Sequence, residues 1–229
     1  MIGTTVRDDV GGAKVLAPWR VYTPQHDTEL LAQALDRERL GASAAVLDVG
    51  TGSGALALAA ARRGARVTAV DRTYRAVLAA RLNARIARLP VEVLHGDLFG
   101  PVTGRRFDLV VSNPPYVPTP GAVPRRHHAA VAWDAGADGR LLLDRICRRA
   151  HTSLRPGGVL LLVHSTLCGI APTLAALERS GLEAQVTDRR VVPFGPVLRS
   201  RAPWLREQGL VDADEEKEEL VIIRAERTR

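Results

Sequence analysis

Two hydrophobic rhythms alternate along the chain. Short continuous apolar runs fall at 44–49, 66–70, 91–94, 107–112 and 158–163, and further strand patterns at 182–192 and 220–225. Between them, apolar residues recur three and four positions apart, the spacing of an amphipathic helix. Leu30, Leu31, Ala34 and Leu35 predict a helix opened by Asp27-Thr28-Glu29, a capping residue followed by a first-turn acid. Residues 56–63, 141–154 and 170–179 predict further helices. Another is striped by Leu78, Leu82, Ile86 and Leu89, which puts Arg81, Arg85 and Arg88 towards water. Strands that read as unbroken apolar runs and alternate with helices imply an α/β fold, with a mostly parallel sheet covered on both faces. Residues 1–26 carry no such pattern and are expected to be an irregular N-terminal segment, with 27–229 as a single domain. The long unpatterned stretch 113–140 exceeds an ordinary connection, and loops of that length are usually functional.

Composition narrows this picture. The 229 residues are 46% hydrophobic and 25% charged, enough apolar material for a sizeable core and too much for a disordered tail. No run of about 18 apolar residues and no signal-peptide pattern is present, so neither a membrane span nor secretion is expected. Cys147 and Cys168 lack metal-ligand spacing and read as free thiols, which points to the cytoplasm. The net charge of +7 comes almost wholly from arginine, scattered in pairs without interleaved aromatics. A solvated cationic surface is favoured over a nucleic-acid interface.

The candidate chemistry sits at the ends of the predicted strands. The first runs into Asp48-Val49-Gly50-Thr51-Gly52-Ser53-Gly54, a glycine loop that opens a helix and lets backbone approach a ligand closely. The second ends at Asp71, where a carboxylate can accept two hydrogen bonds from a ribose diol. The third ends in Gly96-Asp97-Leu98, with a carboxylate where an adenine amino group could lie. Position alone does not separate a nicotinamide cofactor from S-adenosyl-L-methionine. The fourth strand runs into Asn113-Pro114-Pro115-Tyr116. An amide or exocyclic amine nitrogen delocalises its lone pair and is a poor nucleophile. If Asn113 Oδ1 and the Pro114 carbonyl accept its two N–H groups, density returns to nitrogen and the lone pair is aimed at a methyl donor. Two prolines hold those acceptors in place beforehand, and Tyr116 offers a face for the planar group.

The set VLDVGTGSG, AVD, GDLF and DLVVSNPPYVP resembles the HemK-type protein-glutamine N5-methyltransferase family. Tyr22-Thr23-Pro24, Asp27-Thr28, Ala137-Asp138-Gly139 and Leu154-Arg155-Pro156-Gly157-Gly158 extend the likeness over roughly residues 20–225. The resemblance implies a Rossmann-like class I methyltransferase with a seven-stranded sheet whose last strand is antiparallel. It implies S-adenosylmethionine as cofactor, with Thr28, Asp48, Gly50, Gly52, Asp71, Asp97, Leu98 and Asn113 around it and Asn113, Pro114, Pro115 and Tyr116 as the catalytic group. It also implies a protein substrate, a glutamine in a Gly-Gly-Gln loop of a release factor. The longer bacterial members carry an N-terminal helical substrate domain. Only about 26 residues precede the first helix here, as in the short archaeal and eukaryotic branch, some of which use a small zinc-binding activator subunit. The alternatives are an N6-adenine methyltransferase on DNA or RNA, a small-molecule N-methyltransferase, and a non-catalytic cofactor-binding protein. Duplex-DNA enzymes must flip the base and commonly add a recognition module for which this chain has little room. The intact tetrapeptide argues against the non-catalytic reading. His127-His128 read as a solvated loop, the role of His164 is left open, Trp133 and Trp204 as packing anchors, Cys147 as core, and the acidic run 215–219 as a solvated turn.

Overall fold

A computed structural model describes residues 5–10, 13–18, 21–41, 43–120 and 135–228. Seven strands form one sheet: β3 (Ala45–Val49), β4 (Arg66–Asp71), β5 (Val91–His95), β6 (Phe107–Ser112), β7 (Leu154–Ser165), β8 (Leu182–Pro193) and β9 (Lys217–Arg227). Their spatial order is β5-β4-β3-β6-β7-β9-β8. The first five are parallel, and β9 runs antiparallel to both β7 and β8, between which it lies. The chain reverses direction across the sheet between β3 and β6, so Val49 stands level with both Val70 and Ser112. In open α/β sheets that switch point is where ligands bind, beyond the carboxyl ends of the strands. Strands β3, β6 and β7 are buried almost throughout, as their unbroken apolar runs predict.

The helices are α1 (His26–Arg37), α2 (Ala55–Arg62), α3 (Tyr74–Ala87), α4 (Leu141–Ser153), α5 (Ile170–Arg179) and α6 (Pro196–Glu207). Three expectations need correction. The N-terminal segment is not wholly irregular: β1 (Thr5–Val10) and β2 (Ala13–Ala17) pair as an antiparallel hairpin. The amide of Asn83 on α3 secures β2, accepting from Leu16 N at 3.0 Å and donating to Leu16 O at 2.8 Å, and it donates also to Ser53 O at 2.8 Å. Second, α1 begins at His26 with Gln25 as its N-cap, so Asp27 lies inside the first turn rather than capping it.

Third, the stripe on α3 faces the other way. Leu78, Leu82 and Ile86 are exposed, and the inward face is Ala76, Val77, Ala79, Ala80, Asn83 and Ala84. Periodicity fixes that a helix has faces, and close approach decides which one turns inward. A Cβ on Gly54 would lie 3.2 Å from the Ala80 backbone, so only a small residue fits where α3 crosses the glycine loop.

Candidate active site

The glycine loop is held from the neighbouring strand. Gly50 N and Thr51 N donate to Val70 O at 2.9 and 3.0 Å, and Gly52 N donates to Asp71 Oδ2 at 3.0 Å. Gly50 and Gly52 have φ of +74° and +56°, and the space a Cβ would enter is open at both, which leaves backbone bare towards a ligand. The other oxygen of Asp71 accepts from Thr73 N and Oγ1, at the start of α3. Carboxylate oxygens accept more than one bond, so Asp71 retains capacity for a diol.

Asp48 is buried beneath this loop. Its Oδ2 accepts from Thr51 Oγ1 at 2.6 Å and Ala57 N at 3.1 Å, while Oδ1 has no partner among the described residues. Burial pushes its carboxyl up to about 7. A buried, unpaired carboxylate oxygen under a bare backbone loop fits the ammonium end of S-adenosylmethionine, and the residues present therefore suit that cofactor. Asp97 is exposed at the end of β5, paired there with Arg145. Leu98 beside it holds a left-handed φ of +48°, an uncommon conformation for a leucine that strand-end sites can enforce.

Asn113 and Tyr116 are joined to α1 by a network centred on Asp27. Asn113 Nδ2 donates to Thr28 Oγ1 at 3.1 Å, and Thr28 Oγ1 lies 3.1 Å from Asp27 Oδ1. Thr28 N also donates to Asp27 Oδ1, and the Tyr22 and Tyr116 hydroxyls both donate to Asp27 Oδ2, at 2.7 and 3.0 Å. Tyr116 is only 7% exposed, so the open platform expected of it is instead a packed wall with an anchored hydroxyl. Its burial and the nearby Asp27 push the phenol well above its ordinary range. The Tyr116 carbonyl accepts from the Cys168 thiol. A Cβ on Gly139 would come within 2.3 Å of that carbonyl, which accounts for glycine in Ala137-Asp138-Gly139.

Sequence reasoning missed Glu218. It is buried, not part of a solvated turn, because β9 begins at Lys217 and Glu218 shares a strand face with Leu220 and Ile222. Alternation alone does not single it out, because Glu219 stands in the same register to the equally buried Val221 and Ile223. Burial pushes Glu218 up to about 7, Ser165 hydrogen-bonds it, and Asp27 adds repulsion. His164 is fully buried, its Nδ1–H donating to Ser165 O at 2.8 Å, and burial lowers it to about 4. It is neutral at physiological pH. Cys147 and Cys168 are buried free thiols, raised to about 12 by burial. Trp204 packs on a small cluster with Phe194 and Leu198, while His127, His128 and Trp133 lie outside the described residues. No described helix is long and apolar enough to cross a membrane.

The Methyltransferase small domain family matches residues 23–189. A Methanocaldococcus jannaschii protein described as an N5-glutamine methyltransferase is 33% identical over 83% of this chain and 95% of its own length. A release factor glutamine methyltransferase of Deinococcus radiodurans is 42% identical over 77% of this chain, which spans 65% of that relative's length. Among solved structures, the E. cuniculi Mtq2–Trm112 complex that methylates the termination factor eRF1 is similar at TM-score 0.63 and 25% identity, covering 91% of this chain and 99% of that one. The T. thermophilus 16S rRNA N2 G1207 methyltransferase, solved with AdoMet and guanosine, reaches TM-score 0.64 at 26% identity, over 99% of this chain and 51% of that one. The match over residues 23–189, with the Rossmann-like sheet, the glycine loop and the Asn-Pro-Pro-Tyr strand end in accord with it, places this chain in the Methyltransferase small domain family, whose methyl donor is S-adenosylmethionine.

Proposed function

We propose that this chain transfers a methyl group to the side-chain amide of a glutamine in a protein of the release-factor kind. The observation that carries the reading is Asn113 at the end of β6, level with the glycine loop at the end of β3 and bonded through Nδ2 to Thr28. Bound S-adenosylmethionine supplies an electrophilic sulfonium methyl. Asp48 and Asp71 serve its ammonium and ribose, with Asp97 and Leu98 beside its adenine. Asn113 Oδ1 and the Pro114 carbonyl accept the two N–H groups of the planar acceptor and orient its lone pair. The nitrogen becomes acidic on gaining the methyl, so its proton can leave without a dedicated base, in keeping with the buried neutral His164. The named relatives support glutamine as the acceptor, and the Mtq2–Trm112 pair supports a small activator subunit as partner.

A second reading is favoured by one observation, the likeness to a methyltransferase of an exocyclic guanine amine in rRNA. Labelled methyl transfer to a purified release factor and to purine oligonucleotides, compared at matched physiological salt, separates the two. Transfer to the release factor, abolished when its loop glutamine is replaced, is expected. Faster reaction of the oligonucleotide overturns the glutamine assignment, because nucleic-acid affinity is already weakened at that salt.

A further inference from the structure

We propose that Thr28, backed by Asp27, is a positioning residue that dictates which way the Asn113 amide faces. This rests on the reading of Asn113 as the group that accepts the substrate N–H. An asparagine side chain is nearly symmetrical in shape, yet only its oxygen can accept a hydrogen bond and only its nitrogen can donate. A flip of 180° would present an NH2 group to the incoming amide, donor against donor. Something must therefore choose.

The bonding pattern chooses. Asp27 Oδ1 receives the backbone Thr28 N–H at 2.6 Å, so that oxygen acts as an acceptor. The Thr28 hydroxyl lies 3.1 Å from the same oxygen and has a single proton, which goes to it. What remains on Thr28 Oγ1 is lone pairs, and these face Asn113 at 3.1 Å. If Asn113 turned Oδ1 to Thr28, two acceptors would meet with no proton between them. Nδ2 is therefore held at Thr28 and Oδ1 is turned away from it. Asp27 is itself held by the Tyr22 and Tyr116 hydroxyls at Oδ2, so the last residue of the Asn-Pro-Pro-Tyr segment braces the residue that orients the first. Asp27 and Thr28 are both only 4% exposed, so bulk water has little access to their side of the contact. The role differs from the cofactor contact that family resemblance assigns to Thr28, and the two make different predictions.

Only two asparagines occur in the chain, Asn83 and Asn113, so selective 15N-asparagine labelling gives two side-chain amide signals, assigned by Asn83→Ala. In the wild type and in Thr28→Ser, one Asn113 amide proton is expected to exchange slowly with solvent. In Thr28→Val it is expected to exchange freely. Thr28→Ala gives the same readout if valine is not accommodated. In single-turnover methyl transfer, Thr28→Val should lower the rate at saturating substrates about tenfold or more, with S-adenosylmethionine affinity within about threefold of wild type and Thr28→Ser near wild type. An unprotected Asn113 amide in the wild type, a loss confined to cofactor affinity, or a Thr28→Ser variant as impaired as Thr28→Val overturns the proposal. The exchange measurement needs no acceptor, so failure of the glutamine assignment would appear separately, as a wild type that leaves the release factor unmodified.

Discussion

In the proposed site Asp48 and Asp71 serve the same ligand in different electrostatic settings, and their substitutions should be distinguishable. The folded apoprotein holds Asp48 near 7 by burial, so at pH 6 most of it is protonated and offers no charge to an ammonium. Raising the pH through 7 ionises it, and S-adenosylmethionine affinity should strengthen across that interval and level off by about pH 8. Calorimetry from pH 6 to 8.5 checks this, and Asp48→Asn should flatten the curve. Asp71→Ala removes the intended diol contact and also releases Gly52 N and Thr73, so affinity should fall by roughly 1–3 kcal/mol at every pH. The rate at saturating cofactor should stay nearly flat between about pH 7 and 9, since the proposed proton loss needs no histidine base. At this scale the sequence announced the strand-end carboxylates and the tetrapeptide through fixed spacing after apolar runs. It could not announce the Asp27 hub, because hydroxyls from Tyr22 and Tyr116 converge on one oxygen only in the folded chain.

At the scale of elements, α3 offers the sharpest contrast between pattern and packing. Leu82→Lys on its exposed face should change stability by no more than about 0.5 kcal/mol, whereas Ala80→Leu should cost about 1–3 kcal/mol by forcing bulk against Gly54. Denaturant unfolding measures both, and the second variant should also weaken cofactor binding because the glycine loop must shift. The helix itself was legible from its stripe, but its inward face was not: leucines at every fourth position and alanines between them have the same period. Most strands were legible to within a few residues because their apolar runs are long and are closed by glycine, proline or aspartate. The hairpin β1–β2 was not, since part of its stability comes from a side-chain amide 67 residues away that mimics a neighbouring strand. Asn83→Ala should therefore speed amide exchange in β2, and in the glycine loop with it.

For the molecule as a whole, Glu218 couples stability to pH. Its carboxyl titrates near 4.5 in the unfolded chain and near 7 in the folded one, so between those values the folded state holds more protons. Its contribution to stability is present at acid pH and is lost as pH rises through that window. Glu218→Gln should melt at a higher temperature relative to wild type at pH 8 than at pH 5, which thermal unfolding at the two pH values would show. The placement of β9 has a consequence for how the molecule comes into being. A chain leaving the ribosome finishes β7 and β8 well before β9, yet the two are not neighbours, and the strand that joins them is the last of the sheet to be made. Until it arrives, β8 has no partner and β7, the outermost of the five parallel strands, presents an open antiparallel edge to any other extended chain. The five parallel strands, with the glycine loop and Asn113, all precede β9 in the chain. Glu218, whose charge bears on Asp27 and Tyr116, arrives only when β9 slides between its two waiting neighbours.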